Sequence, residues 1–261
     1  MAELGLPGLW LFLVVVVAAS VAVAVGSIWL ADRTLPAAAD AERNSSLELF
    51  LTTVALVYGA LLGFTVVVAW EQFSSAAANV ASEASTMATM YRQTAGVPAP
   101  EQAKLRELLR KYATAVEGGW GRQDSDGTSE TARAAIDEMY RVVGGQASDE
   151  WSSSLKGEFV GQLTTLAEQR NTRVLDAKPR IPGLLWGGLL FGSVVLIGLM
   201  GYAHIDSRRG HVLLSSVVAV LLGLLLFLVF WLDRPFGREL GVTPAPFTLA
   251  VQAFDAMDRG A

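Results

Sequence analysis

Four long apolar runs alternate with polar stretches along the 261 residues. The first extends from about Leu6 to Leu30 and stops at Asp32-Arg33. The second extends from about Leu47 to Trp70, and the third from Ile181-Pro182 to about Tyr202. The fourth covers about Val212 to Leu232 and is closed by Asp233-Arg234-Pro235. A bilayer core of ~30 Å takes about 20 apolar residues in a helix rising ~1.5 Å per residue, so each run is long enough to cross. No run has a charge in its interior. Glu48, Glu71, His204, Asp206 and Asp233 stand at the edges, where charge costs least. Trp10, Trp29, Trp70, Trp186 and Trp231 also lie near run ends, as interfacial indoles do. The opening Met-Ala-Glu-Leu-Gly lacks the basic start of a signal peptide, and its apolar run is longer than a signal core, so a retained first span is expected.

Between the second and third runs the pattern changes. Gly and Pro are absent from Glu71 to Ala95, so the second span is expected to continue as one helix from Leu47 to Arg92, about 70 Å long, until Pro98 and Pro100 break it. Three amphipathic helices follow. Leu105, Leu108, Leu109, Tyr112 and Val116 repeat at i, i+3 and i+4, and Ala132, Ile136, Met139, Tyr140 and Val143 do the same. Trp151, Leu155, Phe159, Leu163 and Leu166 give the last apolar face, with Ser148-Asp149-Glu150 expected as its cap. No alternating strand pattern occurs. The expected fold is all-α: a first transmembrane helix pair over 1–72, a soluble helical insert over 73–180, a second pair over 181–236 and a tail over 237–261.

Composition sharpens this picture. Half the residues are apolar and 17% are charged, and the insert holds 13 of the 20 Lys and Arg and 14 of the 25 Asp and Glu. That is the composition of membrane spans plus one water-facing module. No basic stripe is present, so no nucleic-acid partner is expected. The chain has no Cys and two His, which excludes disulfides and thiolate or His-rich metal sites. No nucleophile elbow, phosphate loop or zinc-protease motif occurs, so no enzyme is expected. Four spans put both termini and the insert on one side. That side carries Arg170, Arg173, Lys178, Arg180, Arg234 and Arg238 near span ends, against Arg33, Arg43, Arg208 and Arg209 opposite. The excess favours a cytoplasmic location for termini and insert.

The second span holds the candidate chemistry. Phe64, Val68, Glu71, Ser75, Ala78 and Ser82 fall on one helical stripe. Gly59, Gly63, Val66, Trp70 and Phe73 fall on another, where Gly59 and Gly63 form a small-xxx-small contact for a neighbouring helix. The first stripe could line a pore: an apolar constriction at Phe64 and Val68, a carboxylate ring from Glu71 and a hydroxyl-lined vestibule from Ser75 and Ser82. It could equally be packing, with Glu71 paired to an arginine of the insert. Arg170 and Arg173 could pair with Glu71 or Glu83, meet anionic lipid heads, or lie on a solvated surface. Gly183, Gly187, Gly188, Gly192, Gly198 and Gly201 point to close packing of the third span. His211 is expected in a polar loop. Asp233-Arg234-Pro235-Phe236-Gly237 reads as a span terminus, with a latch as the functional alternative.

Several of these stretches resemble the bestrophin-like family of four-span proteins. They are Gly59-Ala60-Leu61-Leu62-Gly63-Phe64 through Trp70-Glu71-Gln72-Phe73, Arg173 followed by Ile181-Pro182-Gly183-Leu184-Leu185-Trp186, and Asp233-Arg234-Pro235-Phe236-Gly237 with Pro246-Phe247. The resemblance covers most of residues 45–255. It implies a homo-oligomeric ion channel, pentameric, in the cell membrane, with cytoplasmic termini and the second span lining the pore. Its partners would be copies of itself, membrane lipids and a permeant ion. Glu71 inclines the expected ion to a cation. The alternative is a non-conducting scaffold that binds a partner through the insert. The resemblance also implies a calcium clasp after Pro-Phe-Gly. Glu239 is the only acid between Gly237 and Asp255, which speaks against a site needing several carboxylates, so no cofactor is expected.

Overall fold

The computed structural model describes residues 6–34, 40–120, 126–145, 151–203, 207–236 and 240–259. It contains helices α1 (Leu6–Thr34), α2 (Asp40–Gln93), α3 (Ala99–Gly118), α4 (Asp126–Gly144), α5 (Ser153–Asp176), α6 (Gly183–Tyr202), α7 (Arg208–Leu232) and α8 (Ala245–Arg259), and no strand among the described residues. α1, α2, α6 and α7 are each long and apolar enough to cross a membrane. The chain forms two compact units. One comprises Ala2–Gln72 with Pro179–Asp233, and the other Phe73–Lys178 with Arg234–Ala261.

In the membrane unit, α1 packs along α6 and α7. Small residues set the approach. A Cβ on Gly201 would stand 2.1 Å from Ser27 Oγ and 2.8 Å from its backbone carbon, and one on Gly223 2.9 Å from Ser20 Oγ. Ser20 and Ser27 turn their hydroxyls back to Val16 O and Ala24 O at 3.0 and 2.8 Å, so neither is left unsatisfied in hydrocarbon. Phe12 fills the adjoining space against Phe227 and Phe230. α2 meets α6 at Tyr58, whose hydroxyl donates to Leu189 O at 2.9 Å while its ring lies against Gly192.

Two sequence expectations change here. Of the six glycines of the third span, only Gly192 and Gly201 are in close contact within the protomer; Gly183, Gly187, Gly188 and Gly198 face open space. His211 is not a loop residue. It lies in the first turn of α7, which Ser207 caps, and is buried with Nε2 2.9 Å from Met200 O. An imidazole can complete a helix-end carbonyl, and that satisfies both groups at a hairpin end.

In the soluble unit, the second part of α2 packs with α3, α4, α5 and α8 around Met87, Tyr91, Leu109, Tyr112, Met139 and Phe159, all fully buried. α2 ends in a 3-10 turn at Thr94–Gly96, and Pro98 with Pro100 starts α3. α5 is capped by Ser152, whose Oγ accepts from Leu155 N at 3.3 Å, four residues beyond the expected Ser148; the latter lies outside the described residues. Trp151 is accordingly not on the helix. It is buried just ahead of it, edge-on to Phe159 at 5.8 Å.

Because backbone and hydroxyl both oppose a side chain at position 201, Gly201→Ala should lower the thermal unfolding midpoint of the detergent-purified protein. A cost of about 1–3 kcal/mol is expected from overpacking. Gly187→Ala, with nothing within 4 Å, should be neutral or slightly stabilising in the same measurement.

Candidate functional site

α2 has two contrasting faces. Tyr58, Leu62, Thr65 and Ala69, at steps of four, three and four, are buried, and Ala76, Val80, Glu83, Met87, Met90 and Tyr91 continue the buried side. Phe64, Val68, Glu71, Ser75, Ala78 and Ser82 are all exposed, Phe64 at 75%. Two residues along a helix is about 200° of rotation, so Phe64 lies nearly opposite Leu62. Gly59 and Gly63 are exposed too, with no atom near a built Cβ, so among the described residues no helix of the same protomer uses that small-residue pair. Ser82 Oγ accepts from Gln169 Nε2 at 2.8 Å.

Glu83 is the anchor of the opposite side. It is fully buried, and Arg173 of α5, 5% exposed, grips it with two N–H groups: Nε to Oε2 at 2.7 Å and Nη2 to Oε1 at 3.2 Å. The Tyr112 hydroxyl of α3 donates to Oε1. The Phe247 ring of α8 lies under the guanidinium at 5.9 Å. Burial, then the Glu83 charge, pushes the Tyr112 hydroxyl well above the ordinary tyrosine range, so it remains a donor. Burial disfavours the charge on Arg173, but the Glu83 carboxylate outweighs it and holds the guanidinium above its ordinary value. Neither Arg173 nor Arg170 is the solvated surface that remained open from sequence: both are buried, and Arg170 Nη1 donates to Asn171 Oδ1 at 3.2 Å. Arg173 is committed to Glu83, one of its two candidate acids.

A second clasp holds α8, a helix not expected from the sequence. Tyr91 stacks on Phe254 at 4.0 Å and donates to Asp258 Oδ2 at 2.6 Å. Arg106 and Arg110 of α3 pair with Asp258, and Arg110 also with Asp255, at 2.7–2.8 Å. The Tyr91 hydrogen bond, ahead of Arg110, keeps the Asp258 carboxyl below its ordinary value. A signal existed: Phe247, Ala250 and Phe254 recur at helical spacing, with Asp255 and Asp258 on the adjoining face.

The residues after the fourth span divide their roles. Asp233 caps α7, and its Oδ1 accepts the N–H groups of Arg180 and Ile181, each at 3.0 Å. Arg234 is half-buried. Pro235 O accepts from Val242 N at 2.8 Å, and Phe236 meets the edge of Trp120 at 5.5 Å. Trp120 Nε1 in turn donates to Val242 O at 2.9 Å. Gly237 lies outside the described residues. Among the described residues no cluster of three or more His, Asp or Glu could hold a metal ion.

The family profile described as a bestrophin-like domain matches residues 18–247. Three crystal structures share the fold. One is a bacterial bestrophin homolog from Klebsiella pneumoniae, 14% identical, with a TM-score of 0.74, over 94% of this chain and 97% of that one. A point variant of that homolog is 13% identical at 0.71, over 96% and 98%. The third, described as a membrane protein variant, is 13% identical at 0.73, over 94% and 98%. No curated protein matches the sequence.

Glu83→Gln leaves Arg173 buried without its counter-charge and should destabilise the soluble unit by ~3–5 kcal/mol. Glu83→Met combined with Arg173→Met and Tyr112→Phe removes the whole polar group and should cost less than the single change. Denaturant unfolding followed by circular dichroism compares the two.

Proposed function

The chain belongs to the bestrophin-like family, and from that premise we propose that it forms a homo-oligomeric, cation-preferring ion channel whose pore is lined by α2. The observation that carries this reading is the bare face of α2. A helix buried on one side from Tyr58 to Tyr91 leaves Phe64, Val68, Glu71, Ser75 and Ser82 uncovered on the other. Phe64 and Val68 lie within the span, Glu71 at its edge and Ser75 and Ser82 beyond it, an order that suits a narrow apolar ring opening into a charged, hydrated mouth. Copies of the chain ring that axis, five of them as the family resemblance implies, and Gly59 and Gly63 supply a surface on which a neighbouring α2 approaches. Each site residue then repeats once per copy.

Phe64 and Val68 form the apolar constriction, where a narrow ring favours dewetting. Glu71 forms the charged ring. A monovalent cation about 8 Å from one carboxylate gains roughly 2 kcal/mol at an effective dielectric of about 20, and several carboxylates add before salt screens them. Anions are repelled by the same amount. Ser75 and Ser82 give a hydrated approach, Ser82 being held by Gln169. The protein resides in the cell membrane with termini and insert in the cytoplasm, as the arginine excess favours.

Reconstitution into liposomes tests the pore. The pure protein should pass monovalent cations across a salt gradient. Glu71→Gln should leave assembly intact and move the reversal potential towards the chloride equilibrium value, and Phe64→Ala should raise leak. A protein that passes no ion under any condition supports a scaffold instead; a reversal potential unmoved by Glu71→Gln removes Glu71 from selectivity. Orientation has its own check. A reporter fused after Ala261 should be active only in a form that works in the cytoplasm, and periplasmic activity would invert the topology.

A further inference from the structure

Helices α4 and α5 enclose an open cleft of about 680 Å³ on the soluble unit. That volume lies within the range of small-molecule sites. Its polar lining is built from matching helical positions: Arg133, Asp137 and Tyr140 on α4, and Arg170 and Asn171 on α5. Ile136, Ala167 and Val174 make the apolar part.

We infer that this cleft binds a small organic acid, taking its carboxylate or phosphate head between the guanidinium groups of Arg133 and Arg170. Three observations support the assignment. Arg170 is buried at 9% exposure and held by Asn171, so one half of the anion clamp is fixed in place before a ligand arrives. Arg133 is exposed, and its contact with Asp137 is a long 3.8 Å between two well-solvated side chains, which contributes little and is readily exchanged for a better acceptor. Beyond Arg170 stands Arg173; burial above all, and then the like charges of Arg173 and Arg133, disfavour the charge on Arg170. A planar fork from each of two arginines matches the oxygens of a carboxylate or phosphate.

The acidic part of the lining limits what can bind. Glu130 and Asp137 also line the cleft, and their negative charge disfavours polyanions such as nucleic acid or polyphosphates. It favours a ligand whose remaining groups are hydroxyls or an ammonium. The Tyr140 hydroxyl, 3.1 Å from Thr164 Oγ1, adds a further polar contact on the wall. The position also has a consequence for α2. Arg170 lies one turn from Arg173, which holds Glu83, so an occupant would offset the like charge beside the pair that fixes α2 in the soluble unit.

The test measures binding rather than conduction, so it stands whether or not the protein passes ions. The full-length protein in detergent is unfolded thermally in potassium phosphate, potassium acetate and potassium chloride at matched ionic strength and pH. The expected result is a saturable rise of the midpoint in phosphate or acetate over chloride. Arg133→Gln, at an exposed helix position that leaves the fold intact, should weaken the apparent affinity about tenfold or more, as the loss of a charge-assisted hydrogen bond predicts. A response to phosphate alone assigns a phosphate ester head, and a response to acetate alone assigns a carboxylic acid. No rise over chloride with either anion overturns the proposal, as does an equal rise in Arg133→Gln.

Discussion

A carboxylate with no access to water, Glu83, determines how the soluble unit holds together. Removing such a group from solvent costs several kcal/mol, and only dense compensation makes it tolerable. Arg173 supplies two N–H groups and Tyr112 a hydroxyl, so Oε1 and Oε2 are both satisfied. Glu83, Arg173 and Tyr112 come from three helices, and Phe247 adds a fourth from beneath the guanidinium. Apolar contacts tolerate sliding, whereas a bidentate ion pair fixes one rotation and one height. The rotation of α2 about its own axis is therefore specified here: with Glu83 turned inward, Ser82 and Ala78, about 100° and 140° round the helix from it, turn outward.

The two parts of α2 are each defined by what they bury in their own unit. The exposed stripe is defined by what the other side of the same helix buries, first Tyr58 and Leu62, then Val80 and Glu83. Small changes around Arg173 would therefore act on the part of α2 that follows Phe73 without touching its exposed side chains. The Tyr91, Arg110 and Asp258 clasp works in the same sense by seating α8 against α2 and α3.

Much of this architecture was legible because membrane spans obey a length rule and amphipathic helices a period. The four spans, the unbroken α2 and the three insert helices all follow from runs of Leu, Val and Ala and from the recurrence of Leu105, Leu109 and Tyr112. What was not legible depended on distance along the chain. The pairing of Glu83 with Arg173 spans 90 residues, and periodicity carries no information about which acid an arginine will choose. α8 was missed because a 15-residue helix ending in charges reads as a tail unless Phe247 and Phe254 are known to have a cavity to fill. His211 was misplaced because Arg208 and Arg209 look like the end of a loop, although they form the first turn of a helix. The stripe itself could be written down from sequence, but its exposure could not, since Ala69 and Val68 are equally apolar and only one is covered.

Asp233 has a consequence for how the protein is made. Its carboxylate joins the residues just before α6 to the residue just after α7, closing a loop of more than fifty residues with two backbone N–H groups. Those partners come together only when the chain has gone out through α6 and come back through α7. A ribosome-bound intermediate with one crossing has Arg180 and Ile181 in place and no acceptor for them. The contact is therefore a product of the finished hairpin: it forms only once both α6 and α7 are present, with Asp233, the residue just after α7, as its acceptor.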